Sequence, residues 1–158
     1  MPISTVLVPL DGSALAEAAL PVAVDLLAGR RNSALLLLRV VDSPWPLPDE
    51  ACSQHAMARV ALEYLDAVVS RLTEFNGLVR KAVWYGPPAK CIAEAAEAER
   101  PDLIVMSAHG EGGLGRAALG SVAESVLRGT RIPILLVRDP TAPLEARRDA
   151  RPAFQASI

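Results

Sequence analysis

Thr5-Val-Leu-Val-Pro-Leu-Asp-Gly-Ser13 is a short apolar run closed abruptly by a polar turn. Thr5 to Leu10 is apolar on successive residues rather than on alternate ones, the pattern of a parallel strand covered on both faces. Asp11-Gly12-Ser13 reads as the turn after it. Ser13 then caps a helix over residues 14–28, because a hydroxyl there accepts an orphan backbone N–H. Gly29 closes that helix, and Pro21 inside it predicts a bend. Leu35 to Val41 repeats the continuous apolar pattern as a second strand.

Working outward, the alternation continues. Asp42 to Asp49 holds three prolines in eight residues and must be a loop. Glu50 to about Phe75 carries Met57, Val60, Ala61, Tyr64, Leu65, Val68 and Leu72 at helical spacing. Asn76-Gly77 ends it, and Val79 to Tyr85 is a third strand. Gly86-Pro87-Pro88 opens a helix to about Glu99, with proline tolerated in the first turn. Asp102 to Met106 is a fourth strand, Ser121 to Arg128 a short helix stopped by Gly129, and Ile132 to Val137 a fifth strand. Alternating strands and helices predict an α/β fold with a parallel sheet covered on both faces. Ligands of such sheets sit at the carboxyl ends of strands, where strand order reverses. The polar turns Asp11-Gly12-Ser13 and Ser107 to Gly120 fall at such ends.

Composition bounds the function. The 158 residues are about one domain's length. Sixteen Lys+Arg against eighteen Asp+Glu give a net charge of −2, which argues against a nucleic-acid binder working by bulk charge. Aromatic residues are 4% of the chain, too few for a base-stacking platform. Cys52 and Cys91 stand far apart without a CxxC pattern, which excludes a disulfide scaffold and a cysteine-based zinc site. No apolar run reaches the ~18 residues of a membrane span, and no signal peptide is visible, so the expected location is cytoplasmic. Residues 139–158, with three prolines and no periodicity, read as a mobile tail after a domain at 1–138.

The glycine-rich loop after the fourth strand is the strongest chemical feature. It contains a literal G-x-G-x-x-G at Gly110, Gly112 and Gly115. A dinucleotide fingerprint would follow the first strand and carry an acidic residue about 20 positions on, and neither holds here. No GxxxxGK[ST] is present. Gly120-Ser121 at the start of the last helix is a better anion site, because free N–H groups and the helix dipole converge there. Ser121-Val-Ala-Glu124 also reads as a capping box that needs no ligand. Asp11 is either a turn-forming aspartate or a carboxylate for a ribose hydroxyl or a metal-bound water. His109 could orient a phosphate, though a loop histidine more often faces solvent. Arg116, the only basic residue inside the glycine loop, could neutralise phosphate charge. His55, Cys52, Cys91, Trp45 and Trp84 read as surface or packing residues. No nucleophile–base–acid set emerges, and Gly-x-Ser-x-Gly is absent.

Taken together, three segments resemble the universal stress protein family over about residues 3–138. They are Val8-Pro-Leu-Asp-Gly-Ser13, Asp102-Leu-Ile-Val-Met106, and the loop into Gly120-Ser-Val-Ala-Glu-Ser-Val-Leu-Arg128 followed by Ile132-Pro-Ile-Leu-Leu-Val137. ATP-binding members carry G-x2-G-x9-G-[ST]. Here Gly110 and Gly120-Ser121 keep the spacing, and Ser107 replaces the first glycine. The resemblance implies an open five-stranded sheet of order 3-2-1-4-5 with a Rossmann-like adenine-nucleotide site. Asp11 would touch the ribose, Pro9 and Leu10 would line the adenine side, and the Val40 backbone would read the adenine edge. Gly110, Gly120, Ser121 and Val122 would hold phosphates and ribose. It further implies a homodimer through strand five, for which the apolar edge Ile132 to Val137 is suited.

The expected function is an ATP-binding stress-response protein, with or without Mg²⁺, that shifts conformation or partner and hydrolyses ATP slowly at most, since no general base is apparent. One alternative is a homodimeric interaction module that binds no nucleotide, favoured by Ser107. A second is an enzyme of the related adenine-nucleotide hydrolase fold, whose phosphate motif after the first strand is missing from Pro9-Leu-Asp-Gly-Ser13. If a triphosphate is held, backbone N–H groups must do most of the work, with Arg116 as the expected nearby charge.

Overall fold

A computed structural model describes residues 2–42, 50–109 and 119–138, without the side chains of 50–54. The elements run β1 (Thr5–Leu10), α1 (Ala14–Glu17), α2 (Ala19–Leu27), β2 (Ala34–Val41), α3 (Glu50–Arg71), β3 (Leu78–Tyr85), α4 (Pro88–Glu99), β4 (Leu103–Ser107), α5 (Ser121–Gly129) and β5 (Ile134–Val137). All strand pairs are parallel, and the sheet order is β3-β2-β1-β4-β5. The predicted α/β class and strand order are therefore observed.

The continuous apolar strands divide their side chains between two cores. Val6, Val8, Leu35, Leu37 and Val105 pack on one face with Leu20, Ala23 and Leu27 of α2 and Leu65 and Val68 of α3. Leu7, Leu36, Leu38, Ile104 and Met106 pack on the other with Ile92 and Ala95 of α4 and Ala123 and Val126 of α5. Successive strand residues point to opposite faces, so both must be apolar when helices cover both. The edge strand β3 is mostly exposed and carries Arg80 and Lys81, which pair with Glu99 (2.6 Å) and Asp66. Charge on an edge strand discourages pairing with a stray strand.

Three expectations shift in detail. The bend expected at Pro21 is a break at Ala18, which ends α1 and begins α2. Proline at 21 clashes with the carbonyl of residue 17, so the helix is interrupted one turn upstream of the ring. The α3 helix ends at Arg71, and the chain to Phe75 continues as tight turns, with the Leu72 N–H on Val69 O (3.0 Å). The β5 strand starts at Ile134, after Pro133, whose carbonyl accepts from the Ile104 N–H at 2.9 Å but whose nitrogen donates nothing.

Asp102, expected to begin the fourth strand, instead joins two strand starts. Its Oδ2 accepts from the N–H of Ser4 (2.8 Å), the hydroxyl of Ser4 (3.0 Å) and the N–H of Thr5 (2.9 Å). The Ser4 amide above all, then that of Thr5, holds the Asp102 carboxyl below its ordinary range. This clamp closes the amino end of the sheet, opposite the end where the polar turns gather. Among the described residues no helix is long and apolar enough to cross a membrane.

Candidate functional site

Strand order reverses between β1 and β4, because the chain winds outward through β2 and β3 on one side and through β4 and β5 on the other. A cavity of about 610 Å³ opens there at the carboxyl ends of β1, β2 and β4. Pro9, Leu10, Asp11, Val40, Ser107, Gly120, Ser121 and Val122 all line it. These are eight of the ten site residues singled out in the sequence; Gly110 and Arg116 lie outside the described residues.

On the β1 side, Asp11 is half-buried and its Oδ1 accepts from the Ser13 N–H (2.8 Å) and hydroxyl (2.5 Å). Ser13 in turn accepts from the Ala16 N–H at 3.1 Å, the predicted cap. Asp11 is thus the turn-forming aspartate and a cavity-lining carboxylate at once. Gly12, at φ +93°, supplies the left-handed residue that this turn requires.

On the opposite side, Gly120 caps α5 and offers no side chain, and the predicted capping box is not made. The box fails because the helix begins one residue earlier than that reading needs: Ser121 is already helical. Glu124 turns forward to Arg128 at 2.6 Å, while its N–H bonds Gly120 O at 2.9 Å. The first amides of α5 have no acceptor within the helix and border the cavity. Gly120 has ordinary extended angles, φ −60° and ψ 147°, so its backbone does not demand glycine. Close approach does: a Cβ would lie 3.0 Å from Ala108 O and 3.4 Å from His109 Cα, where the Gly120 N–H donates to Ala108 O at 2.8 Å.

Ser107, at the family's first glycine position, has no positive φ, so a serine costs no backbone strain there. Its hydroxyl donates to His109 O (2.6 Å) and accepts from the His109 N–H (3.3 Å), pinning the turn out of β4. His109 is half-buried on the cavity wall rather than solvent-facing. Val40 is buried at the β2 end, with Ile92, Met106 and Leu119 extending an aliphatic wall.

Sequence reasoning missed Arg39. It interrupts the apolar run of β2 one residue before Val40, lines the cavity and is half-buried. Its Nη1 donates to Leu10 O at 3.4 Å, and its guanidinium lies 6.0 Å from the Tyr64 ring centroid. Tyr64 donates to Glu17 at 2.9 Å, and Glu17 pairs with Arg71 at 2.9 Å. The Arg71 hydrogen bond holds the Glu17 carboxyl below its usual range, while burial first, then Glu17, pushes the Tyr64 phenol up. A charge at the end of an otherwise apolar strand was the available signal. The expectation that Arg116 is the nearby charge is corrected accordingly: Arg39 stands at the cavity as well.

Other candidates are placed without a site role. Among the described residues no group of three His, Cys, Asp or Glu could hold a metal. Cys91 is buried in α4 with its thiol 3.5 Å from Tyr85 O, and burial raises its pKa. Trp84 packs against the second core, and His55 is exposed on α3. Trp45 and the tail 139–158 lie outside the described residues, as does the Cys52 side chain.

The profile of the Universal stress protein family matches residues 2–138. A universal stress protein of Methanocaldococcus jannaschii, MJ0531, is 33% identical over 140 residues, covering 85% of this chain and 82% of its own. The solved structure of MJ0577, a protein of the same organism, superposes with a TM-score of 0.80 at 26% identity, covering 89% of this chain and 99% of that one. A universal stress protein family member from Arabidopsis thaliana, solved with AMP bound, superposes at a TM-score of 0.64 and 19% identity over 87% of this chain and 93% of its own, a likeness of fold alone. With the profile spanning nearly all of the sheet and helices, and a relative one-third identical over most of its length, this chain belongs to the universal stress protein family.

Proposed function

We propose that the chain binds an adenine nucleotide, ATP in the first instance, and acts in a stress response as a nucleotide-dependent conformational or partner switch. The observation that carries this reading is the cavity at the strand-order reversal, with a carboxylate turn on one side and the uncapped start of α5 on the other. In that reading Val40 and the aliphatic wall take the base, Asp11 takes ribose hydroxyls, and the amides of residues 121–123 take phosphate oxygens. A bound AMP in a fold neighbour is consistent with it. Mg²⁺ keeps waters and leans on substrate phosphates rather than on a protein cage, and the described cavity offers two carboxylates, Asp11 and Asp42, and no cluster of three metal-ligating residues for one. Magnesium would therefore arrive with the triphosphate.

The proposed working unit is a cytoplasmic homodimer, with 1–138 as the nucleotide-binding domain and the tail outside it. Equilibrium binding with labelled ATP tests the central claim. Saturation below millimolar ATP supports it. No saturation up to millimolar ATP refutes it and leaves the nucleotide-free interaction module.

A further inference from the structure

The described residues that line the cavity carry two carboxylates, Asp11 and Asp42, and one guanidinium, Arg39. Leaving His109 aside, their side-chain charge is thus one negative in excess with Arg39 and two without it. Among the described lining residues Arg39 is the one cation that opposes this excess and adds to the pull of the α5 amides on phosphate. Arg39 has five N–H donors and among the described residues engages one acceptor at long range, Leu10 O at 3.4 Å. Among the described residues no carboxylate oxygen comes within 4.0 Å of it. The other half-buried route for its charge, the Tyr64 ring, leaves the planar fork's donors unused. A half-buried guanidinium with no carboxylate partner among the described residues is stabilised by an incoming anion.

Resting on the nucleotide reading above, we propose that Arg39 is a specificity-determining residue that makes the cavity select phosphate-bearing nucleotides over the uncharged nucleoside. It acts by charge, offsetting Asp11 and Asp42, rather than by holding the turn at Gly12. A positional role is the competing account, because a Cβ built at Gly12 would sit 3.6 Å from Arg39 Nη2.

The test compares AMP and adenosine, which share base and ribose and differ in charge. Both are titrated against the wild-type chain, Arg39→Gln and Arg39→Lys by calorimetry. Arg39→Gln should weaken AMP about tenfold and leave adenosine within about twofold, because only the charged ligand feels the lost cation. Arg39→Lys should restore most of the discrimination. Equal weakening of both ligands would show that Arg39 merely positions the Asp11 turn, and no change for either would show that it does not face the ligand; each overturns the proposal. A wild-type chain that binds adenosine and AMP equally also overturns it while leaving the nucleoside site intact. A wild-type chain that binds neither overturns the nucleotide reading itself, and the proposal with it.

Discussion

Gly120 separates the demands of packing from those of the ligand. In Gly120→Ala the new methyl meets Ala108 O at 3.0 Å and His109 Cα at 3.4 Å, both backbone atoms that cannot rotate away. Such overpacking costs about 1–3 kcal/mol. The angles φ −60° and ψ 147° suit alanine, so a stiffer unfolded chain returns roughly 0.4–1 kcal/mol. The net is a loss of about 1.3 kcal/mol at the centre of these ranges and ~2.6 kcal/mol at most, or a Tm lowered by roughly 3–5 °C in a chain of this size. Gly120→Asp adds a carboxylate where the proposed site holds phosphate. At ~4 Å and an effective dielectric near 20 the repulsion is about 4 kcal/mol per charge pair, close to a thousandfold in affinity. Thermal melts and ATP titrations of the three proteins read both effects. An alanine variant as stable as wild type would refute the close-packing account of Gly120. An aspartate variant with unchanged ATP affinity would refute the placement of phosphate at the start of α5.

Asp102→Asn should destabilise by about 2 kcal/mol through loss of charge-assisted bonds to Ser4 and Thr5. Because the folded pKa lies below the ordinary value of 3.8, the advantage of wild type should hold above about pH 5 and shrink as pH falls below about 4, toward the folded pKa; denaturant melts at several pH values check this, and a gap that widens in acid would sink it. Leu135 is 38% exposed on the edge strand β5, so if that edge pairs two copies, Leu135→Asp should turn a dimer into a monomer by light scattering. A wild-type monomer at micromolar concentration would end the strand-five proposal.

The fold was legible because hydrophobicity alone encodes it. Continuous apolar runs such as Leu35 to Leu38 admit one arrangement, a strand covered on both faces, and the turns after β1 and β4 mark its polar end. The lining was legible through the family spacing of Gly120-Ser121 and the turn at Asp11. Two things were not. The capping box failed because S-x-x-E fits a helix starting at either of two neighbouring residues, and backbone packing against Ala108 chose the other. Arg39 was overlooked because one charge in eight residues does not disturb a strand pattern; only the folded chain shows that its guanidinium reaches the space beside Gly12.

The two walls of the cavity are built differently, and the difference bears on how a switch could work. The Asp11 wall is tied several times over: by Ser13, by Arg39 on Leu10 O, and through Tyr64 and Glu17 to Arg71. Among the described residues the α5 wall meets β4 through the Gly120–Ala108 backbone bond and through apolar packing of Ala123 and Val126, which can slide, and β5 beyond it pairs with β4 alone over four residues. A ligand that bridges both walls would therefore move the second against the first. Helix α5 is rigid over its nine residues, so a shift at Ser121 reaches the 52% exposed Leu127 about 9 Å along the axis. Leu127 and Leu135 are exposed apolar residues of α5 and β5, outside the tied wall. Exposed apolar residues also stand on α3 and β3, at Val60, Leu62 and Leu78, so only those on α5 and β5 would report a shift of the second wall under the proposed nucleotide switch.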